Sequence, residues 1–213
     1  MTELLFIRHG ETDWNRQQRF QGQIDVPLNA TGQAQAGRMA ARLAADRHDA
    51  LFSSDLQRAR ATAAPLAAAW GRTAVPLPGL REQHFGVLEG LDVPTIQARH
   101  PELWQRWLEH RADYALPGGE SLRQFHTRVM AAVRELVDAG HGARLAVVTH
   151  GGVLDMLWRS AHGLPLDGQR ACDIPNTGLN RLRWAGGTLQ VQSWAAAEHL
   201  AGPAQVPGAA TAP

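Results

Sequence analysis

The chain of 213 residues is long enough to bury the core of one domain of ordinary size. Its hydrophobic content of 44% and charged content of 19% are typical of soluble globular proteins. A net charge of +1 predicts no general attraction to nucleic acid or to acidic membranes. All 21 basic residues are arginine, so no lysine is present to form a Schiff base or to bind phosphate.

The cysteine content and the apolar segments exclude further classes of protein. Cys172 is the single cysteine, which rules out an intramolecular disulfide and a zinc site built from several cysteines. No apolar run approaches the roughly 20 residues of a membrane-spanning helix. The first predicted strand begins by about residue 3, which leaves no room for a signal peptide. We therefore expect a cytoplasmic protein.

The first half of the chain alternates between strand and helix patterns. The apolar residues 4–7 predict a buried strand, and residues 50–52 a second one. A helix is predicted from about residue 55 to 70, and a short third strand over 73–77. Between the first two strands, one helical face is formed by Ala36, Met39, Ala40, Leu43 and Ala44.

The segment from about residue 91 to 120 has a weaker pattern, with prolines at 94, 101 and 117. We interpret it as a small cap of short helices and loops that lies over another part of the domain. A capping box, Ser121 to Gln124, then begins a helix. Its apolar face is formed by Leu122, Phe125, Val129, Val133 and Leu136.

The last third of the chain contains the clearest strand, residues 144–149, followed by a helix to about residue 160. Two final strands, about 178–184 and 188–194, flank the turn at Gly186-Gly187. Residues 201–213 are mostly Ala, Pro and Gly, which predicts a disordered tail. We expect residues 1–200 to form a single domain.

Alternating strands and helices, with continuously apolar strands, predict a three-layer α/β/α sandwich around a mostly parallel sheet. In such sheets, ligands bind beyond the carboxyl ends of the strands. The first strand ends at Arg8-His9, and the second ends shortly before Arg58. The strand at 144–149 is followed by His150. We therefore expect two histidines and two arginines to meet at one edge of the sheet.

These side chains suit a phosphate group, because arginine offers several donors in one plane and helix N-termini favour anions. A neutral His9 could act as a nucleophile toward phosphorus. The alternatives are that Arg58 is an ordinary surface arginine and that His9 and His150 ligate a metal. Neither histidine lies in an HExxH pattern, and neither follows an aspartate of the kind that metal sites recruit.

The segment Arg8-His9-Gly10-Glu11-Thr12 resembles the signature of the histidine phosphatase superfamily, whose fold is phosphoglycerate mutase-like. Further blocks of the chain resemble that family in the same order. They are Asn15, Gly22 with residues 25–28, residues 53–59 with 62–63, residues 81–82, 85–86 and 89–90, residues 119–121, and residues 149–151. The resemblance therefore covers about residues 4 to 152.

The resemblance implies a role for each matching residue. His9 matches the nucleophile that becomes phosphohistidine, and Glu82 matches the proton donor to the leaving group. The remaining matches hold the phosphoryl oxygens, with His150 also counted among the catalytic groups. They are Arg8, Asn15, Gly22, Arg58, His150 and Gly151. Neither a metal nor a cofactor is implied. The predicted partner is a small phosphomonoester, with no nucleic acid or membrane partner, and the oligomeric state is not predicted.

Other residues of the matching blocks have less specific interpretations. Glu82 could instead pair with Arg81, Glu11 favours a structural role, and Glu89 is expected to anchor its loop. Leu88 stands where relatives often carry tryptophan. Trp104 and Trp107 lie three apart in the cap and fit a cap core better than a platform for substrate.

Three functions are compatible with these residues. The first is a metal-independent phosphatase acting on small phosphomonoesters, and the second is a cofactor-dependent phosphoglycerate mutase. The third is an inactive relative that binds phosphorylated partners. Mutases of this family resemble one another in a longer insertion with a lysine and in an asparagine two residues after the second histidine. In this chain, His150 follows Glu82 by only 68 positions, and lysine is absent. Gly152 stands where those mutases carry the asparagine. The phosphatase is therefore favoured.

Overall fold

The computed structural model describes residues 1–201, and the tail predicted over 201–213 lies outside them except for residue 201. The centre of the fold is a six-stranded sheet with the strand order β3-β2-β4-β1-β5-β6. Its strands are β1 (Thr2–Arg8), β2 (Ala50–Ser53), β3 (Ala74–Pro76), β4 (Arg144–Thr149), β5 (Leu179–Ala185) and β6 (Thr188–Ala196).

Four of the six strands are parallel, and the last two form an antiparallel hairpin at one side of the sheet. β1 pairs in parallel with β4, and β2 pairs in parallel with β4 and β3. β5 runs antiparallel to β1, and β6 antiparallel to β5. The turn between them contains Gly186 and Gly187, both with positive φ, as the hairpin prediction requires.

Seven helices lie among residues 1–201. They are α1 (Asp13–Arg16), α2 (Ala30–Leu43), α3 (Gln57–Trp70), α4 (Val93–Arg99), α5 (Pro101–Leu108), α6 (Leu122–Asp138) and α7 (Gly151–His162). Alternate β1 residues point to opposite faces, as the two-residue period of a strand dictates. Leu4 and Phe6 pack in a cluster with α6 and α7, whereas Leu5 and Ile7 pack with α2 and α3. The predicted three-layer α/β/α sandwich with a mostly parallel sheet is confirmed.

Helix boundaries follow local capping chemistry. The capping box predicted at Ser121 is present: its hydroxyl accepts from the Gln124 N–H, and the Gln124 side chain accepts from the Ser121 N–H. Helix α3 begins at Gln57, two residues later than predicted, because residues 55–56 are extended or turning as the chain leaves β2. It ends at Trp70 and is capped by Gly71, whose φ of 61° is the left-handed conformation that glycine favours.

The segment predicted as a cap contains α4 and α5 and a small apolar cluster of its own. Ile96 and Leu116 are buried there, next to Leu88 of the preceding turn, and Trp104 and Trp107 stack on each other with ring centroids 5.3 Å apart. This cluster is separate from the two clusters that cover the sheet. The segment therefore packs in a cluster distinct from those of the sheet, together with Phe20, Phe85 and Leu88 from outside the segment.

Candidate active site

The carboxyl ends of β1 and β4 bring two histidines side by side. Arg8 pairs with Thr149 in the parallel ladder, and the His9 N–H donates to the Thr149 carbonyl at 2.8 Å. His150 directly follows Thr149, the last residue of β4. The two imidazole rings lie 5.2 Å apart between centroids, and His9 is only 3% exposed. The expected meeting of strand ends therefore occurs.

The protonation of His9 follows from its surroundings. Its Nδ1 lies 2.7 Å from the Gly10 carbonyl oxygen, which can only accept, so Nδ1 carries the hydrogen. Burial, and then the positive charges of Arg58 and Arg8, hold the pKa of His9 well below its usual value of 6.5. The ring is therefore neutral at pH 7, with an unprotonated lone pair on Nε2.

His150 is buried in a similar environment. Its Nε2 lies 2.7 Å from the Ser54 hydroxyl, which also accepts from the Leu56 N–H at 3.3 Å. The Ser54 hydroxyl hydrogen has no other acceptor among residues 1–201, so we assign it to the bond with Nε2. The ring hydrogen then lies on Nδ1, a buried atom with no hydrogen-bond partner in the same range. Burial first, then Arg58 and His9, lower the pKa of His150 well below 6.5.

Two guanidinium groups are buried beside these rings and are anchored by backbone carbonyls. Arg58, in the first turn of α3, donates to Gly22 O at 2.7 Å and to Ile24 O at 2.9 Å. Arg8 donates to Ile174 O at 2.5 Å. Burial is the main cause that lowers the pKa of each arginine to about 10. Both therefore stay charged at neutral pH, with fixed orientations.

Three buried donors of this cluster lack an acceptor within the described part of the chain: Arg8 Nε, Arg58 Nε and His150 Nδ1. An unsatisfied buried donor costs roughly 1–3 kcal/mol, and more when it is charged. The adjoining cavity, of about 230 Å³, is lined in part by His9, Asn15 and Gly22. An oxyanion with several acceptor atoms, such as a phosphoryl group, matches these donors.

Glu82 reaches the same place from the loop after β3. Its Oε2 accepts from the Gly152 N–H at 3.0 Å in the first turn of α7, and its Oε1 accepts from the Gln83 N–H at 2.9 Å. A Cβ added to Gly152 would lie 2.1 Å from Oε1. Gly152 therefore leaves the space that the Glu82 carboxylate occupies. The alternative pairing of Glu82 with Arg81 does not occur, because Arg81 binds Asp55 at 2.5 Å.

The remaining site candidates are distributed around this centre. Asn15 lines the cavity and closes a capping box with Thr12 at the start of α1. Gly22 has a φ of 50°, and a Cβ there would lie 1.9 Å from the Glu89 carboxylate. Gly151 is the first residue of α7. A Cβ added to it would lie 3.5 Å from Arg8 Nε.

The two other acidic residues of the matching blocks have structural contacts. Glu89 Oε1 accepts from the N–H groups of Gln23 and Phe85, both at 2.9 Å, and so joins two loops. Glu11 accepts from the Asn29 side chain at 2.8 Å, at the start of α2. Both contacts agree with the anchoring and structural roles expected of these residues.

Two contributors to the site, Thr62 and Arg170, carry no signal that sequence patterns detect. Thr62 accepts from the Gly10 N–H at 2.9 Å and donates to the Arg58 carbonyl at 2.7 Å, which links the loop after β1 to α3. Arg170, in the loop after α7, lines a second cavity that also contains Glu82. Trp107 lines both cavities, so it contributes to the site as well as to the core of the cap.

The lone cysteine and the acidic groups add no further reactive centre among residues 1–201. Burial is the main cause that raises the pKa of Cys172 to about 11, so its thiol is protonated at neutral pH. No group of three or more His, Cys, Asp or Glu side chains in this range is placed to hold a metal ion. None of the helices in the same range is long and apolar enough to cross a membrane.

Comparison with known proteins places these residues in a family context. Residues 4–197 match the model of the histidine phosphatase superfamily (branch 1). The chain is 37% identical to phosphoglycerate mutase-like protein 4 of Arabidopsis thaliana over 202 residues, covering 93% of this chain and 86% of that protein. It is 35% identical to the metal-independent phosphoserine phosphatase of the same plant over 203 residues, covering 94% and 84%.

A solved structure is similar over nearly the whole chain. It is that of a mycobacterial glucosyl-3-phosphoglycerate phosphatase in complex with VO3, with a TM-score of 0.81 and 31% sequence identity. The similarity covers 92% of this chain and all of that one. The predicted phosphoglycerate mutase-like fold and the resemblance to the histidine phosphatases are confirmed.

The lowered pKa values of His9 and His150 predict that both rings remain neutral through pH 6.5 in the folded protein. Long-range ¹H–¹⁵N NMR spectra should find the His9 proton on Nδ1, with single His→Gln variants assigning the signals. The same protein unfolded in urea is the control, because its histidines titrate near pH 6.5. Protonation of either ring between pH 6 and 7 in the folded protein would contradict this expectation.

The lowered pKa values of His9 and His150 also make the free energy of unfolding depend on pH. Below about pH 6.5 the unfolded chain binds protons at these two rings that the folded chain does not bind. The free energy of unfolding should therefore decrease as the pH falls below 6.5, by up to roughly 1.4 kcal/mol per pH unit for each ring. Urea titrations across this pH range measure the effect.

Proposed function

Because this chain belongs to the histidine phosphatase superfamily (branch 1), we propose that it hydrolyses small phosphomonoesters through a phosphohistidine at His9, without a metal ion. The observation that carries the proposal is the set of buried, unpaired donors on Arg8, Arg58 and His150 around a neutral imidazole. The phosphatase names of two similar proteins support it. The proposed partner is a small phosphorylated molecule.

In the first step, the His9 Nε2 lone pair attacks phosphorus, and the bond from phosphorus to the ester oxygen breaks. Arg8, Arg58 and the His150 Nδ1–H donate to the phosphoryl oxygens, which carry the charge of the transition state. Glu82 supplies a proton to the departing alkoxide, so the alcohol leaves neutral. The hydrogen bond from His9 Nδ1 to the Gly10 carbonyl stabilises the positive ring that forms.

In the second step, water attacks the phosphorus of phosphohistidine and the P–N bond breaks. The Glu82 carboxylate, now unprotonated, accepts a proton from that water. Inorganic phosphate leaves, and His9 regains its neutral ring. The contact of Glu82 with the N–H groups of Gln83 and Gly152 fixes the carboxylate for both proton transfers.

A phosphoglycerate mutase is the second candidate, because the chain is 37% identical to a phosphoglycerate mutase-like protein. A mutase returns the phosphoryl group to carbon and must hold two phosphates while excluding water. The short span from Glu82 to His150 and the absence of lysine favour hydrolysis. An inactive phospho-ligand binder is disfavoured, because the proposed nucleophile, acid and phosphate ligands are all assembled.

We expect His9 to carry the phosphoryl group during turnover. Rapid quenching with ³²P-labelled substrate should give acid-labile, base-stable label on His9, since phosphohistidine has that stability. His9→Ala should lose the label and nearly all activity. His162→Ala, which removes an exposed imidazole at the end of α7, serves as the control. Full activity of His9→Ala would refute the proposed mechanism.

Product analysis separates the phosphatase from the mutase. The protein is incubated with 3-phosphoglycerate and catalytic 2,3-bisphosphoglycerate, and both free phosphate and 2-phosphoglycerate are measured. We expect release of phosphate to be the faster reaction, because no lysine and no long insertion protect the phosphoenzyme from water. Formation of 2-phosphoglycerate much faster than phosphate would replace the phosphatase by the mutase.

The role of Glu82 predicts a dependence on the leaving group. Glu82→Gln should slow hydrolysis of alkyl phosphates roughly a hundred- to ten-thousandfold and p-nitrophenyl phosphate much less, because nitrophenolate needs little protonation. Gly152→Ala should reproduce part of this pattern, because its methyl group would displace the carboxylate. Gly37→Ala is the matched control, since an added Cβ there meets nothing within 4 Å. Equal losses on both ester types would remove Glu82 from the acid role.

A further inference from the structure

A second cavity, of about 310 Å³, adjoins the cavity of about 230 Å³ that contains His9, which we call the phosphoryl-binding cavity. The two cavities share Glu82, Phe85 and Trp107. Trp107, Tyr114 and Phe125 give the second cavity an aromatic lining. Since Glu82 is the proposed proton donor to the leaving group, the alcohol part of the substrate occupies this second cavity.

Arg170 lies on the lining of the second cavity, close to Arg8. Its two terminal nitrogens are 3.7 and 3.8 Å from the position of a Cβ added to Gly151, and Arg8 Nε is 3.5 Å from the same position. The charge of Arg170 is also the second cause, after burial, of the lowered pKa of Arg8. Arg170 lines the second cavity but does not line the phosphoryl-binding one.

A buried network holds the loop that carries Arg170. Asp155, which is 7% exposed, accepts from Arg159 Nε at 3.1 Å. The guanidinium of Arg159 donates to four backbone carbonyls of the loop after α7, those of Pro165, Asp167, Gly168 and Gln169. Arg170 is the next residue, so its backbone is fixed relative to α7.

The guanidinium of Arg170 itself remains accessible. Its Nε lies 4.0 Å from Asp155 Oδ1, which is longer than a hydrogen bond, and its side chain is 44% exposed. Asp155 is already engaged by Arg159 at a shorter distance. The side chain is therefore oriented by Asp155 and still free to bind an anion.

Positive side chains outnumber negative ones among the charged groups of the second cavity that are not held in close ion pairs. Glu120 is paired with Arg128 at 2.5 Å, and Asp155 with Arg159 at 3.1 Å. Arg170 and two cap arginines, Arg106 and Arg111, remain on the lining, opposite the single carboxyl of Glu82. The leaving-group side of the site is therefore electropositive.

We infer that Arg170 is a specificity-determining residue that binds an anionic substituent of the leaving group, so that the favoured substrates are phosphomonoesters of acidic alcohols. This inference rests on the proposed phosphatase function. A guanidinium presents paired donors that match either a carboxylate or a phosphate. The aromatic side chains pack against the carbon skeleton between the two anionic groups.

The test compares two esters that differ in one group, 3-phosphoglycerate and glycerol 3-phosphate. The inhibition constant of each is measured against hydrolysis of p-nitrophenyl phosphate, so that both are informative whether or not they are hydrolysed. Wild-type protein should bind 3-phosphoglycerate the more tightly. In Arg170→Gln this preference should fall about tenfold to a hundredfold, the usual effect of losing a charged hydrogen bond. Arg170→Lys should keep part of the preference, because it keeps the charge without the paired donors.

Arg99→Gln is the control, because Arg99 is an exposed cap arginine that does not line either cavity. An unchanged preference in Arg170→Gln overturns the inference. Equal weakening of both esters also overturns it, because that result assigns Arg170 to the phosphoryl group that the esters share. Absence of p-nitrophenyl phosphate hydrolysis in wild-type protein refutes the proposed function, and this inference with it.

Discussion

The burial of two guanidinium groups and two imidazole rings at the carboxyl ends of β1 and β4 is the constraint on which the site depends. Charged groups are expensive to remove from water unless they are paired or hydrogen-bonded. Here backbone carbonyls of Gly22, Ile24 and Ile174 satisfy part of the demand, and three donors remain without a protein acceptor in the described chain. The fold thus fixes a cationic pocket whose free donors suit the phosphoryl group of the proposed substrate.

The same positive charges serve two purposes in the proposed reaction. Burial first, and then the charges of Arg58 and Arg8, lower the pKa of His9, which keeps Nε2 unprotonated. In the proposed reaction the two arginines also provide donors for the phosphoryl oxygens. When an anionic ester binds, its charge offsets theirs and favours a positive ring on His9. The charge that develops on the imidazole as the P–N bond forms is therefore stabilised by the substrate's own phosphoryl oxygens.

The sequence predicted the elements that depend on local patterns. The apolar runs predicted β1 and β4, and Ser121 with Gln124 predicted the start of α6, because strand burial and capping are short-range properties. Because both strands are parallel neighbours in one sheet, the clustering of Arg8, His9 and His150 followed from the strand ends. The assignment of roles to Glu82 and Asn15 required the family resemblance, since no local pattern distinguishes a site carboxylate from a surface one.

Contacts between distant segments could not be predicted in this way. The fit of Glu82 against Gly152 joins residues 70 positions apart, and only the packing of the loop after β3 against α7 brings them together. Arg170 depends on the bonds of Arg159 to the loop carbonyls, a feature of tertiary structure with no sequence signature. The cap tryptophans were expected to form a core, and the lining contributed by Trp107 became evident only from the shape of the two cavities.

In the proposed reaction, phosphoryl binding and leaving-group binding depend on partly different parts of the fold. The proposed phosphoryl ligands come largely from strand ends and helix starts that the main sheet and its two apolar clusters hold. The second cavity is lined by the cap, by the loop that Arg159 holds, and by α6 and α7 through Phe125 and Met156. Substitutions in the cap can therefore alter the second cavity while the β1–β4 ladder keeps the histidines and arginines in place. Such substitutions would change which leaving group the proposed enzyme accepts, while its proposed phosphoryl ligands stay in place.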